Sequence, residues 1–138
     1  MTDTEAQETR IEQILGEDYL NVSDESLEMY RSYLQKNIVI PCELTGIEDF
    51  RWEEFYILGP GDKKEYEEFK KTRPSYQDVY TFISFDDQIE DMEGLMVKVK
   101  RISDRQHFVL PLADLKATAK KSPNYQLIHD YAVWHVNY

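Results

Sequence analysis

The chain has a single cysteine, Cys42, so no internal disulfide can form and packing alone must hold the fold. No apolar run approaches the roughly 18 residues that a membrane-crossing helix needs, and the opening MTDTEAQETR has no apolar core of the signal type. These absences predict a soluble protein of the cytoplasm that does not engage membranes. Basic residues are also scarce. Sixteen Lys and Arg stand against 27 Asp and Glu, a formal charge of -11, and no local basic face outweighs it, which argues against a nucleic-acid partner. A basic protein partner suits the same charge. With five glycines and five prolines there is no linker, repeat or low-complexity segment, and 138 residues suffice for one core but not for two.

Catalytic and metal-ligating motifs are missing as well. His107, His129 and His135 form no HExxH pair, and alternate positions on strands are the expected setting for them. Cys42, between Pro41 and Glu43, has no sequence around it that marks a nucleophile, and an apolar buried thiol is expected. Gly59-Pro60-Gly61-Asp62-Lys63 lacks the GK[ST] ending of a phosphate loop. A non-enzymatic protein is the reading that follows.

What the chain does have is aromatic surface, ten Tyr, six Phe and two Trp, enough to offset chain entropy once buried. Trp52, Tyr56, Tyr80 and Trp134 are candidates for a cage around a cationic group, with packing as the competing role. Residues 1–22 read as an N-terminal arm, partly helical, in which Ile11, Ile14 and Leu15 recur at helical spacing before Gly16. Residues 23–138 read as one α+β domain. Ser23 can cap a helix whose face carries Leu27, Tyr30 and Leu34, ending near Asn37. Strands are predicted over residues 38–44, 50–58 and 79–85, with a short surface helix within 62–71. In residues 95–101, Leu95, Val97 and Val99 alternate with Met96, Lys98 and Lys100, and Phe108, Leu110 and Leu112 alternate again after a polar turn, which predicts a hairpin. A short helical turn within residues 113–121 and a helical turn followed by a last strand over 125–138 complete the chain. The fold class is therefore α+β, a small, strongly bent antiparallel sheet with an N-terminal helix and short peripheral helices. Closure into an SH3-like barrel is one form of such a sheet and an open sheet the other.

The acidic residues are grouped. Asp86, Asp87, Glu90, Asp91 and Glu93 follow one another with no base among them, and Glu43, Glu48, Asp49, Glu53 and Glu54 surround Gly46 with only Arg51 interposed. Calcium takes about six to eight oxygen ligands, so such groups are suitable raw material for it. The spacing is not that of the twelve-residue helix-loop-helix calcium loop, and a solvated negative loop is the competing role of the first group. If the two groups met at one end of the sheet, their carboxylates would repel until a cation bound.

Two segments resemble the small acidic calcium-binding proteins of the CcbP type. In MYRSYLQKNIVIPCELTG, Tyr30, Tyr33 and Leu34 followed by Asn37, Ile38, Ile40 and Pro41 look like that family's aromatic helix running into a proline-bearing strand, with Ile40 where an aromatic is usual. In VKVKRISDRQHFVLPLADL, Phe108, Leu110, Pro111, Leu112 and Leu115 resemble its hairpin closing on an apolar-proline-leucine run. The residues before Asn21, residues 59–78 and those after Thr118 lie outside the resemblance. It implies a shared scaffold and calcium binding by surface carboxylates, but no ligand set that transfers residue by residue. Calcium is the expected cofactor and Asp86, Asp87, Glu90, Asp91, Glu93, Glu43, Glu48 and Asp49 are the expected ligands. The alternative is an interaction module for a basic protein partner, independent of calcium.

Overall fold

A computed structural model describes residues 2–138. Ser23 caps helix α2 (Asp24–Asn37) as its position predicts: its Oγ accepts from the Ser26 amide at 3.1 Å while Ser26 Oγ accepts from the Ser23 amide at 2.8 Å. The apolar stripe of α2 buries Leu27, Tyr30 and Leu34. Ahead of it, α1 (Asp3–Leu15) is capped by Thr2 and ends at Gly16, whose φ of 78° is readily adopted only without a side chain. Ile11 and Leu15 of α1 are buried, and the helix packs against α2 and the C-terminal helix.

Five antiparallel strands follow, β1 (Glu43–Gly46), β2 (Val79–Glu90), β3 (Gly94–Arg101), β4 (His107–Pro111) and β5 (Leu115–Ala117), in the order β4-β3-β2-β1-β5. The hairpin of β3 and β4 is the one the alternation predicts, pairing Val97 with Leu110 and Val99 with Phe108. The pairing of β2 with β3 shifts register between Phe82 and Ser84 and between Phe85 and Ile89. The sheet does not close into a barrel, because β4 and β5 are its two edges; α2 and the C-terminal helix pack on it and bury the apolar surface that closure would have buried.

Three predicted strands are otherwise. Residues 50–58 contain helix α3 (Arg51–Ile57), in which Trp52 and Tyr56 meet edge to face one turn apart and Glu53 points inward. Residues 125–137 lie in α5 (Pro123–Asn137), started by Ser122 at the cap and Pro123 in its first turn. Because α5 buries Ile128, Tyr131, Ala132 and Trp134, several of its sides are apolar and no single period stands out. His129 and His135 are consequently on a helix rather than on strands. Residues 38–41 stay outside the sheet, held where the Asn124 amide accepts from Val39 N at 2.9 Å and donates to Val39 O at 2.8 Å, so β1 begins only at Glu43. The predicted surface helix is α4 (Lys63–Phe69), capped by Asp62. The buried core joins α1, α2 and α5 to the sheet through Tyr30, Leu44, Tyr80, Val97, Leu112 and Trp134, and Cys42 lies within it as expected.

Candidate functional site

The acidic run at residues 86–93 is not a loose connection. Its first half continues β2, where Ile89 pairs with Leu95 and Glu90 with Gly94, and only Asp91, Met92 and Glu93 form the turn into β3. Gly94 has φ +75°, and a Cβ there would fall 2.6 Å from Tyr131 Oη and 2.7 Å from His135 Nε2. Helix α5 therefore packs directly on the backbone of the turn, and Tyr131 Oη accepts from Leu95 N at 2.9 Å. This pins Glu93 beside His135.

Two other segments arrive at the same place. Gly46 passes so close to Tyr76 that a Cβ would lie 2.6 Å from its Cα, and the chain then runs through Ile47, Glu48 and Asp49 into α3. That segment is anchored from behind by Glu53. Its buried carboxylate accepts from Phe50 N (3.2 Å), Tyr76 N (2.8 Å), Tyr66 Oη (2.6 Å) and Ser75 Oγ (2.7 Å), which removes it from the candidate ligands and makes it a strut. The third segment is the 3-10 turn Leu112–Asp114 between β4 and β5, tied in by Ile47 N donating to Asp114 O at 2.9 Å.

Between them lies a cavity of about 340 Å³ whose polar lining is Glu48, Asp49, Arg51, Glu54, Glu93, Asp114 and His135. Five carboxylates thus face one guanidinium. Asp114 keeps open surface yet stands at the cavity wall, and its pKa is raised above the ordinary carboxylate value first by withdrawal from water, then by Glu93, with Glu48 adding to the rise and Arg51 opposing it. Withdrawal from water lowers the pKa of His135. Among the described residues no hydroxyl or thiol nucleophile lines the cavity.

The donor set suits a hard, oxygen-seeking cation, because carboxylates dominate it and their mutual repulsion leaves a charge deficit for a cation to fill. Among the described residues no three His, Cys, Asp or Glu side chains are already arranged to hold a metal ion. Glu48, Glu54, Glu93 and Asp114 are exposed, so reaching a common ion needs rotamer changes at the surface rather than a rearrangement of the core.

Of the predicted ligands, Glu93, Glu48 and Asp49 meet here. The others do not line the cavity. Asp86 lies 4.0 Å from the Lys98 ammonium, and the backbone carbonyls of Asp86 and Asp87 accept from Arg31 at 3.3 and 3.0 Å. Glu43 accepts from Thr118 Oγ1 at 3.0 Å and pairs opposite Thr81, about five strand residues, or roughly 16 Å, from Asp86. Glu90 and Asp91 are exposed at the end of the hairpin. Asp114 and His135 were not among the sequence candidates; an isolated Asp in LADL and a helical His carry no motif. The proposed aromatic cage dissolves into packing, since Tyr80 and Trp134 are fully buried, Tyr56 stacks on Tyr66 and Trp52 packs against Tyr66 at a tilt.

The chain is similar in structure to Anabaena CcbP, with a TM-score of 0.61 and 18% identity over 97% of this chain and 92% of that one. It is also similar to a calcium binding protein solved in its calcium-binding form, with a TM-score of 0.58 and 18% identity over 99% and 96% of the two chains. The scaffold resemblance read from the α2 and β3–β4 segments is thus shown, as a likeness of fold along the whole chain. No protein-family model and no curated protein matches the sequence.

Proposed function

We propose that this protein binds calcium in the cavity between the β2–β3 turn, the segment leading into α3 and the 3-10 turn before β5. The observation that carries the reading is the meeting of Glu93 with Glu48, Asp49, Glu54 and Asp114 around one cavity, where withdrawal from water first, and then repulsion by Glu93, raises the Asp114 pKa. Support comes from the scaffold shared with Anabaena CcbP and with a protein described as calcium-binding. Glu93, Asp114 and Glu48 are the first ligands, with Asp49 and Glu54 completing the oxygen shell and water supplying the remainder. Arg51 limits affinity in the free protein by neutralising part of the cluster. A bound divalent ion cancels the repulsion and stabilises the fold by mass action, which couples ion concentration to the rigidity of the β2–β3 turn.

Calorimetric titration with calcium at near-physiological salt, repeated in excess magnesium, tests this. Saturable heat that magnesium does not abolish is expected, reduced at least tenfold in affinity by E93Q or D114N and little changed by D86N/D87N. The absence of any heat at millimolar calcium refutes it.

A further inference from the structure

The two edges of the sheet differ in what covers them. Helix α5 packs on β5, where Leu115 and Ala117 are 0% and 3% exposed, so that edge is closed. Strand β4 has β3 on one side and, among the described residues, no strand on the other, and Val109 at its middle is 49% exposed with His107 exposed beside it. The ladder fixes which peptide groups face outward. Arg101 N donates to Gln106 O at 2.8 Å, so that pair is closely bonded, and alternation makes Val99 with Phe108 and Val97 with Leu110 the next bonded pairs. Ile102 N donating to Val79 O agrees, since it turns the Lys100 peptide groups toward β2. The N–H and C=O groups of His107 and Val109 and the carbonyl of Pro111 therefore point away from β3, and among the described residues none of them meets a backbone partner.

The open edge carries opposite charge at its two ends. At its start stand Lys100, opposite His107, and Arg105 in the turn before it, and among the described residues neither forms an ion pair. At its finish Pro111 lines the carboxylate cavity together with Glu93 and Asp114. Two identical strands related by a twofold axis run antiparallel, which sets the basic end of each against the acidic end of the other. A free strand edge invites pairing with another chain, and here the pattern is complementary to itself.

We propose that β4 is a dimerisation edge, at which two copies of this chain pair antiparallel about a twofold axis at Val109 and join their sheets into one. In that register each Val109 N–H donates to the Val109 carbonyl of the other copy, and each His107 N–H donates to the facing Pro111 carbonyl. The missing N–H of Pro111 then leaves only the His107 carbonyl to water. On the core side of the sheet the half-buried Phe108 falls opposite Leu110 of the second copy and gains cover from it. Arg105 and Lys100 are carried toward Asp114 and Glu93 of the second copy. The net charge of -11 on each copy opposes association, but screening over about 8 Å at physiological salt leaves the charges along the edge to decide it.

Sedimentation equilibrium of the full chain, in chelator at physiological salt, tests the pairing. A monomer–dimer equilibrium is expected. V109P removes the central outward N–H while sparing the bonds to β3, and should raise the dissociation constant at least tenfold with the circular dichroism of the parent; V109T keeps that N–H and should not. R105E should also weaken the dimer at least tenfold, whereas K121E, the same change of charge placed beyond β5 at the far edge, should alter it little. Amide hydrogen exchange of the unaltered protein needs no variant: the His107 and Val109 amides should slow as concentration rises, while those of Phe108 and Leu110, already bonded to β3, should not. A chain that stays monomeric at millimolar concentration overturns the proposal. So does a folded V109P protein that dimerises like its parent, an equal effect of R105E and K121E, or a Val109 amide indifferent to concentration. Should V109P not fold, the exchange result decides in its place.

Discussion

Removing the Glu53 carboxylate should separate the strut from the site it supports. Glu53 is fully buried and accepts four hydrogen bonds, two from the backbone amides of Phe50 and Tyr76 and two from the hydroxyls of Tyr66 and Ser75. In E53A the hydroxyls can turn to other acceptors, but the two amides cannot. At about 1–3 kcal/mol for each donor left without a partner, the loss is about 2–6 kcal/mol. That is a large part of the roughly 7–20 kcal/mol expected for a chain of this length. E53Q keeps one oxygen for both amides and presents an NH₂ to hydroxyls that can accept, so it should cost only about 1–2 kcal/mol. Urea denaturation followed by circular dichroism measures both. Equal losses for the two variants, or a loss below about 1 kcal/mol for E53A, would refute the role of the two amides. Since Glu53 holds the segment that carries Glu48, Asp49 and Glu54, E53Q should also bind calcium less tightly while remaining folded.

Other outcomes follow from the same contacts. Arg101 is buried and donates to Asp104 at 2.9 and 2.7 Å, and this hydrogen bonding holds the Asp104 carboxyl well below its ordinary range. A depressed folded-state pKa gives stability that is present above the unfolded value near 3.8 and lost as pH falls through the folded one. The acid limb of the stability curve should therefore be flatter in D104N, which equilibrium denaturation between neutral pH and pH 2 will show. Burial pushes the Cys42 thiol up to about 11, so at pH 8 a thiol reagent should react only in urea. Reaction in the native protein at the rate of a free thiol would contradict the placement of Cys42 in the core. G94A puts a methyl group against Tyr131 and His135 at a positive φ and should lower both stability, by about 1–3 kcal/mol, and calcium affinity, as denaturation and calorimetry will report.

The elements legible in the sequence were those that meet one environment per face. α2 carries its own start signal at Ser23 and one apolar stripe, and β3 and β4 alternate between core and surface. α3 was obscured by Trp52, Phe55 and Tyr56, residues favoured in strands, and by a buried carboxylate where a helical stripe would show an apolar residue. In α5 the start signal was present as Ser122-Pro123, but burial on several sides erased the period. The site was half legible. Charge density located Glu93, Glu48 and Asp49, whereas Asp86, Asp87 and Glu43 belong to the same runs and sit elsewhere, because a strand carries successive residues to opposite faces and away along its length. Asp114 joins the cavity only through the fold, by the tie between Ile47 and its own carbonyl.

The site is tested most directly by backbone amide chemical shifts of the labelled protein during calcium titration. Saturable shifts should concentrate at residues 47–54, 92–95, 113–115 and 135–136, the three segments and the α5 turn around the cavity. Shifts centred instead on Asp86 to Gln88 or on Glu43, or no shifts at millimolar calcium, would contradict it.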